Sequence, residues 1–73
     1  MMYRFLVIVS KTDGNYSAYS PDLPGCVATG ATREEAEDRM HEAIELHIEG
    51  LREDGLPIPP SRTSAIYLAV GKG

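Results

Sequence analysis

The stretch NYSAYSPDLPGCVATGATREEA, residues 15–36, decides the fold: it passes from strand through a rigid corner to a second strand and into a helix. Residues 15–20 carry alternating tyrosines and small residues, and Pro21 ends any ladder there because proline donates no backbone hydrogen bond. Pro24 and Gly25 suit the central positions of a type II turn, proline presetting φ and glycine accepting a positive φ. The chain reverses at that turn, and Cys26–Gly30 runs back as a short strand. Thr32 followed by Glu35 forms a reciprocal capping box, which opens a helix two residues after the strand ends. Pro24 and Gly25 are scaffold in this reading: the turn sets one strand against the next, and Leu23 closes the open end of the core.

Upstream, MYRFLVIVS (residues 2–10) is rich in β-branched and aromatic residues, and Asp13-Gly14 supplies a two-residue hairpin turn. That turn places Val9 opposite Ala18 and Ile8 opposite Tyr19. Downstream, Arg33–Asp54 reads as one helix of about 33 Å, stopped by Gly55. Its apolar stripe is Ala36, Met40, Ala43, Ile44, His47, Ile48 and Leu51, and its opposite face carries Glu34, Asp38, Glu42, Glu45 and Glu49. LPIPP (residues 56–60) is too rich in proline for helix or inner strand and crosses over to a last strand, SAIYLAV, residues 64–70. The expected fold is α+β, strand-strand-strand-helix-strand, a four-stranded sheet with one helix on one face. Such a helix covers only one side of a sheet whose strands are apolar on both. The uncovered face, with Tyr16, Tyr19 and Tyr67 as amphipathic contacts, is expected to bury itself against a second copy in a homodimer or higher oligomer.

With 73 residues the chain fits a single domain over residues 1–73, and so small a domain buries only roughly 60% of its unfolded surface, a further reason to expect self-association. A formal charge of −4 opposes direct nucleic-acid binding and favours a basic partner. One cysteine forms no internal disulfide, the N-terminal apolar run is too short for an export signal, and no run approaches a membrane span, so the expected location is cytoplasmic with no membrane contact.

Candidates for chemistry are few. Cys26 has no companion base nearby in sequence and reads as a small buried residue. His47 falls in the apolar stripe and reads as packed at the core edge, while His41 lies to its side, six residues away, so the two do not form a metal pair. The strands FLVIVS and AIYLAV hold no carboxylates to bind catalytic metal ions, so the chain is read as no enzyme, with no cofactor and no metal. The acidic helix ridge reads first as a solvated face and second as a surface complementary to a basic protein.

Residues 16–59, YSAYSPDLPGCVATGATREEAEDRMHEAIELHIEGLREDGLPIP, resemble the N-terminal domain of HicB-type antitoxins and small stand-alone proteins that share its motifs. The elements that carry the likeness are the hairpin aromatic, PDLPGC, the entry GAT into EEA, the helix with AIELHIEGL, and DGLPIP at its exit. The resemblance implies a truncated ribonuclease H-like arrangement that neutralises a small basic messenger-RNA-cleaving toxin of the HicA type. It also implies a C-terminal DNA-binding segment, but only GKG follows the last expected strand, so no such domain is expected here. The alternative is an orphan oligomeric protein-interaction module of the same fold with no toxin partner.

Overall fold

In a computed structural model, which describes residues 2–72, the chain forms three antiparallel strands and one helix. Strands β1 (Ile8–Thr12), β2 (Asn15–Tyr19) and β3 (Val27–Gly30) make one sheet in the order β1-β2-β3, and α1 spans Arg33–Glu53. The hairpin register is the one expected, Val9 opposite Ala18 and Ile8 opposite Tyr19. At its tip Gly14 takes a φ of 77° while Asp13 keeps a negative one, so only the second turn residue is left-handed.

The register sorts the two faces of the sheet. Val9, Ala18 and Ala28 stand in one cross-strand row beneath the helix, and Ile8, Tyr19 and Val27 form the neighbouring row on the opposite, uncovered face. The core joins Ala18, Leu23, Cys26 and Met40, with Phe5, Val7, Val9, Ala28, Ala43 and Ile44 packed against it. Leu23 and Met40 are the largest fully buried side chains, so the corner supplies one of the two main core plugs.

The corner holds its shape through two backbone hydrogen bonds. The Leu23 N–H donates to the Ser20 carbonyl and the Cys26 N–H to the Leu23 carbonyl, each at 3.1 Å. Gly25 sits at a φ of 83°, the left-handed value that the third position of a type II turn demands.

The helix begins and ends with satisfied backbone groups. Thr32 Oγ1 accepts from the Glu35 N–H at 3.1 Å. The return arm of the capping box reaches one residue further back than expected, with the Ala31 N–H donating to Glu35 Oε1 at 3.3 Å. Asp54 caps the other end, where Gly55 N–H donates to the Arg52 carbonyl and Leu56 N–H to the Leu51 carbonyl, the paired bonds of a Schellman ending. Between β3 and α1 the backbones nearly touch: a Cβ added to Gly30 would lie 2.5 Å from the Ala36 nitrogen. Arg39 locks the same junction, donating to the Thr29 carbonyl at 3.0 Å while pairing with Glu35, also at 3.0 Å.

Two expectations are corrected. The sheet has three strands, not four, so the four-stranded ribonuclease H-like arrangement is replaced by a smaller α+β unit. Residues 64–70 enter no ladder and are exposed throughout, with Tyr67 exposed to the full extent of a free side chain. The physical reason lies in where the helix rests. It packs mainly on β3 and β2 and least on β1, so the side of the sheet where a further strand would add has little apolar cover. The first strand also starts later than expected from residues 2–10: β2 ends at Tyr19 before Pro21, and residues 2–7 run past its end outside the ladder.

Candidate protein-interaction surfaces

The helix presents an acidic outer face. Glu34, Asp38, Glu42, Glu45 and Glu49 are all exposed, spaced so that they follow one side of α1 opposite its buried residues Ala36, Met40 and Ile48. Among the described residues the ion pairs are Arg33 with Glu37 and Arg39 with Glu35, each spanning one helical turn. Of the acidic face only Glu45 has a basic side chain within reach, His41 Nδ1 at 3.0 Å. The carboxylates of Glu34, Asp38, Glu42 and Glu49 therefore face solvent with their charge uncompensated by an ion pair.

The three tyrosines do not share one surface. Tyr16 and Tyr19 are three residues apart in β2 and thus project to opposite faces. Tyr16 lies on the helix side, partly buried, with Lys11 Nζ 6.0 Å from its ring centre. Tyr19 stands on the uncovered face in line with Val27, both substantially exposed. Tyr67 belongs to the extended segment outside the sheet.

Neither histidine nor cysteine gathers into a reactive cluster. His41 is exposed on the helix, His47 is half-buried, and Cys26 is buried as a free thiol whose pKa burial pushes up, away from the reactive thiolate. Among the described residues no group of three or more His, Cys, Asp or Glu side chains could hold a metal ion. No helix among the described residues is long and apolar enough to cross a membrane.

One contact was not foreseen from the sequence. Asp22, in the corner, holds the base of the C-terminal segment: its Oδ2 accepts from the Arg62 N–H at 3.0 Å and the Thr63 N–H at 3.1 Å, and its Oδ1 from the Thr63 hydroxyl at 2.8 Å. The Thr63 hydroxyl, followed by the backbone donors, lowers the Asp22 pKa below the usual aspartate value. An Asp within a proline corner signals only local turn bonding, so the sequence offered no cue to a partner so distant.

Beside the sheet runs an open groove of about 1410 Å³, lined by residues 2–9, by α1 and by Ala65, Ile66 and Tyr67 of the C-terminal segment. Phe5, Val7, Met40, Ile44 and Ile48 make its apolar floor, and Arg33, Glu37, Glu45, Glu49 and Arg52 its charged rim.

These features describe a small α+β domain with an acidic helix face and exposed apolar surface. The chain belongs to the family of HicB-like antitoxins of bacterial toxin-antitoxin systems, whose profile matches residues 5–70. A UPF0150 protein of Synechocystis is 44% identical over 59 residues, covering 80% of this chain and 75% of that one. A UPF0150 protein of Thermoplasma acidophilum is 38% identical over 64 residues, covering 86% of this chain and 93% of the relative. An uncharacterized 14.9 kDa protein of Haemophilus phage HP1 is 37% identical over 62 residues, and there the match takes in 85% of this chain but 47% of the longer phage protein. No solved structure matches at a comparable level of significance.

Proposed function

We propose that this chain is a non-catalytic antitoxin domain that binds and neutralises a small basic HicA-type messenger-RNA-cleaving toxin, and that the acidic face of α1 is its docking surface. Family membership supplies the class of partner, a toxin. The observation that carries the reading is the row of exposed carboxylates at Glu34, Asp38, Glu42 and Glu49, free of ion pairs among the described residues. Like charges one helical turn apart repel by a few tenths of a kcal/mol per pair, roughly, and a basic partner surface turns that repulsion into attraction. A protein that binds RNA carries positive charge where it meets phosphate, so an acidic face both steers its approach and occupies that surface. The same negative charge keeps this chain itself off nucleic acid. In this reading the protein acts in the cytoplasm, and copies pair through exposed apolar surface, including Tyr19 on the uncovered sheet face and Tyr67 in the segment outside the sheet.

The test is to co-purify the chain with a small basic protein encoded beside it and to assay RNA cleavage. Stoichiometric co-elution with loss of cleavage is the expected result. The triple variant Glu34→Gln, Asp38→Asn, Glu42→Gln should slow association at low salt at least tenfold and change it little at high salt, because rim charges act mainly on the on-rate. If no small basic neighbour binds, the antitoxin reading fails, and a self-associating interaction module takes its place.

A further inference from the structure

The segment after Thr63 is an apolar arm without a seat. From Ser64 to Gly71 it carries no charge, and Ile66, Tyr67, Leu68 and Val70 are 76%, 105%, 77% and 89% exposed. Such an uncharged, β-prone segment left in water is an assembly element, since exposed edges and apolar patches of this kind recruit a partner or aggregate. It also makes the molecule long: its radius of gyration is 14.6 Å, against about 11 Å for a compact chain of this length.

The arm's base is nevertheless fixed. The three hydrogen bonds from Arg62 and Thr63 to Asp22 anchor it to the corner, so its exposed residues leave the body from a defined point. Fully extended, residues 64–70 span about 23 Å. Ala65, Ile66 and Tyr67 border the chain's own groove, yet the exposure of Ile66, Tyr67, Leu68 and Val70 shows that the arm does not pack into it. The groove in turn has the character of a seat for an extended apolar segment. One wall is residues 2–9, of which Ile8 and Val9 belong to the edge strand β1, and its floor is half-buried Ile44 with Met40 and Ile48 buried behind it.

We infer that residues 64–70 of one copy lie in the groove between residues 2–9 and α1 of a second copy, and that two chains exchange these arms reciprocally. This deepens the self-association included in the proposed function and rests on it; toxin binding plays no part. Each chain carries both the arm and the seat, so the exchange closes on itself with two-fold symmetry. Four large side chains per arm, at roughly 100 Å² each, with a similar area of groove covered beneath them, give about 1,600 Å² for the pair, within the range of a stable interface. The charged rim leaves the uncharged arm without an unpaired charge to bury.

Two measurements on the full chain test the exchange. Light scattering should give the wild type twice the chain mass of 8.0 kDa and Leu68→Pro the single mass, with unchanged helical circular dichroism. Proline removes a backbone donor from the arm without touching the chain's own core. A double variant, Leu6→Cys with Leu68→Cys, treated with a short bifunctional maleimide, should yield a covalent dimer; buried Cys26 stays out of the reaction. A dimeric Leu68→Pro would overturn the exchange while leaving self-association intact. A cross-linked product confined to single chains would show the arm folding back on its own body and equally overturn it. A monomeric wild type at 100 µM or so would remove both the exchange and the self-association it rests on.

Discussion

The carboxylate of Asp22 and the hydroxyl and amide of Thr63 are joined by hydrogen bonds of 2.8 and 3.1 Å across 41 residues of sequence, tying the tail of the chain to its sharpest corner. The charged form of the carboxylate makes these bonds, and they hold its pKa below the usual aspartate range. A group with a lowered folded pKa stabilises above its unfolded value and loses that contribution as pH falls through the folded one. Amide exchange at Arg62 and Thr63 should thus be protected at neutral pH, weaken once pH drops below about 3.9, and disappear beneath the lowered pKa. Asp22→Ala should remove the protection at every pH, and protection that survives this change would show that something else holds the arm.

At Gly30 any side chain meets backbone. The added Cβ would lie 2.5 Å from the Ala36 nitrogen and 2.9 Å from the Glu35 carbonyl carbon, neither of which can turn aside as a side chain could. Gly30→Ala should destabilise the fold by about 1–3 kcal/mol, seen as a lower urea midpoint with little change in slope.

The start of the helix depends on one hydroxyl. Thr32→Ala deletes the acceptor for the Glu35 N–H and should cost about 1 kcal/mol, whereas Thr32→Ser should recover most of it. Thermal denaturation of the three proteins gives the comparison directly.

Cys26 should behave as a packing residue. Its thiol is buried, and burial raises its pKa, so a thiol reagent at neutral pH should label it far more slowly in the native protein than in urea. Equal rates in the two states would mean the corner opens freely.

The hairpin, corner and helix were legible because each is specified locally. Asp13-Gly14 fixes the register, Pro24-Gly25 the reversal, and Thr32, Glu35 and Gly55 the helix ends, all through groups a few residues apart. The last segment was not legible. SAIYLAV has the composition of a strand, but composition does not say whether a free edge with apolar cover awaits it in the same chain, and here the helix rests toward β3. Asp22 escaped notice for a similar reason, since its partners lie beyond the helix and the proline run. The acidic residues were legible as one exposed helix face; the tyrosines share a residue type and not a surface, since strand parity separates Tyr16 from Tyr19.

Arg39 gives the sheet a left and a right that are not equivalent. Its guanidinium sits on the Thr29 carbonyl of β3, and the helix backbone crowds Gly30 next to it, while β1 at the other margin stays open. A fibre of stacked sheets needs both margins free so that each newcomer offers a fresh template to the next. A strand arriving at β3 must displace Arg39 from the Thr29 carbonyl, whereas one arriving at β1 meets no such contact, so edge pairing is directed to one margin.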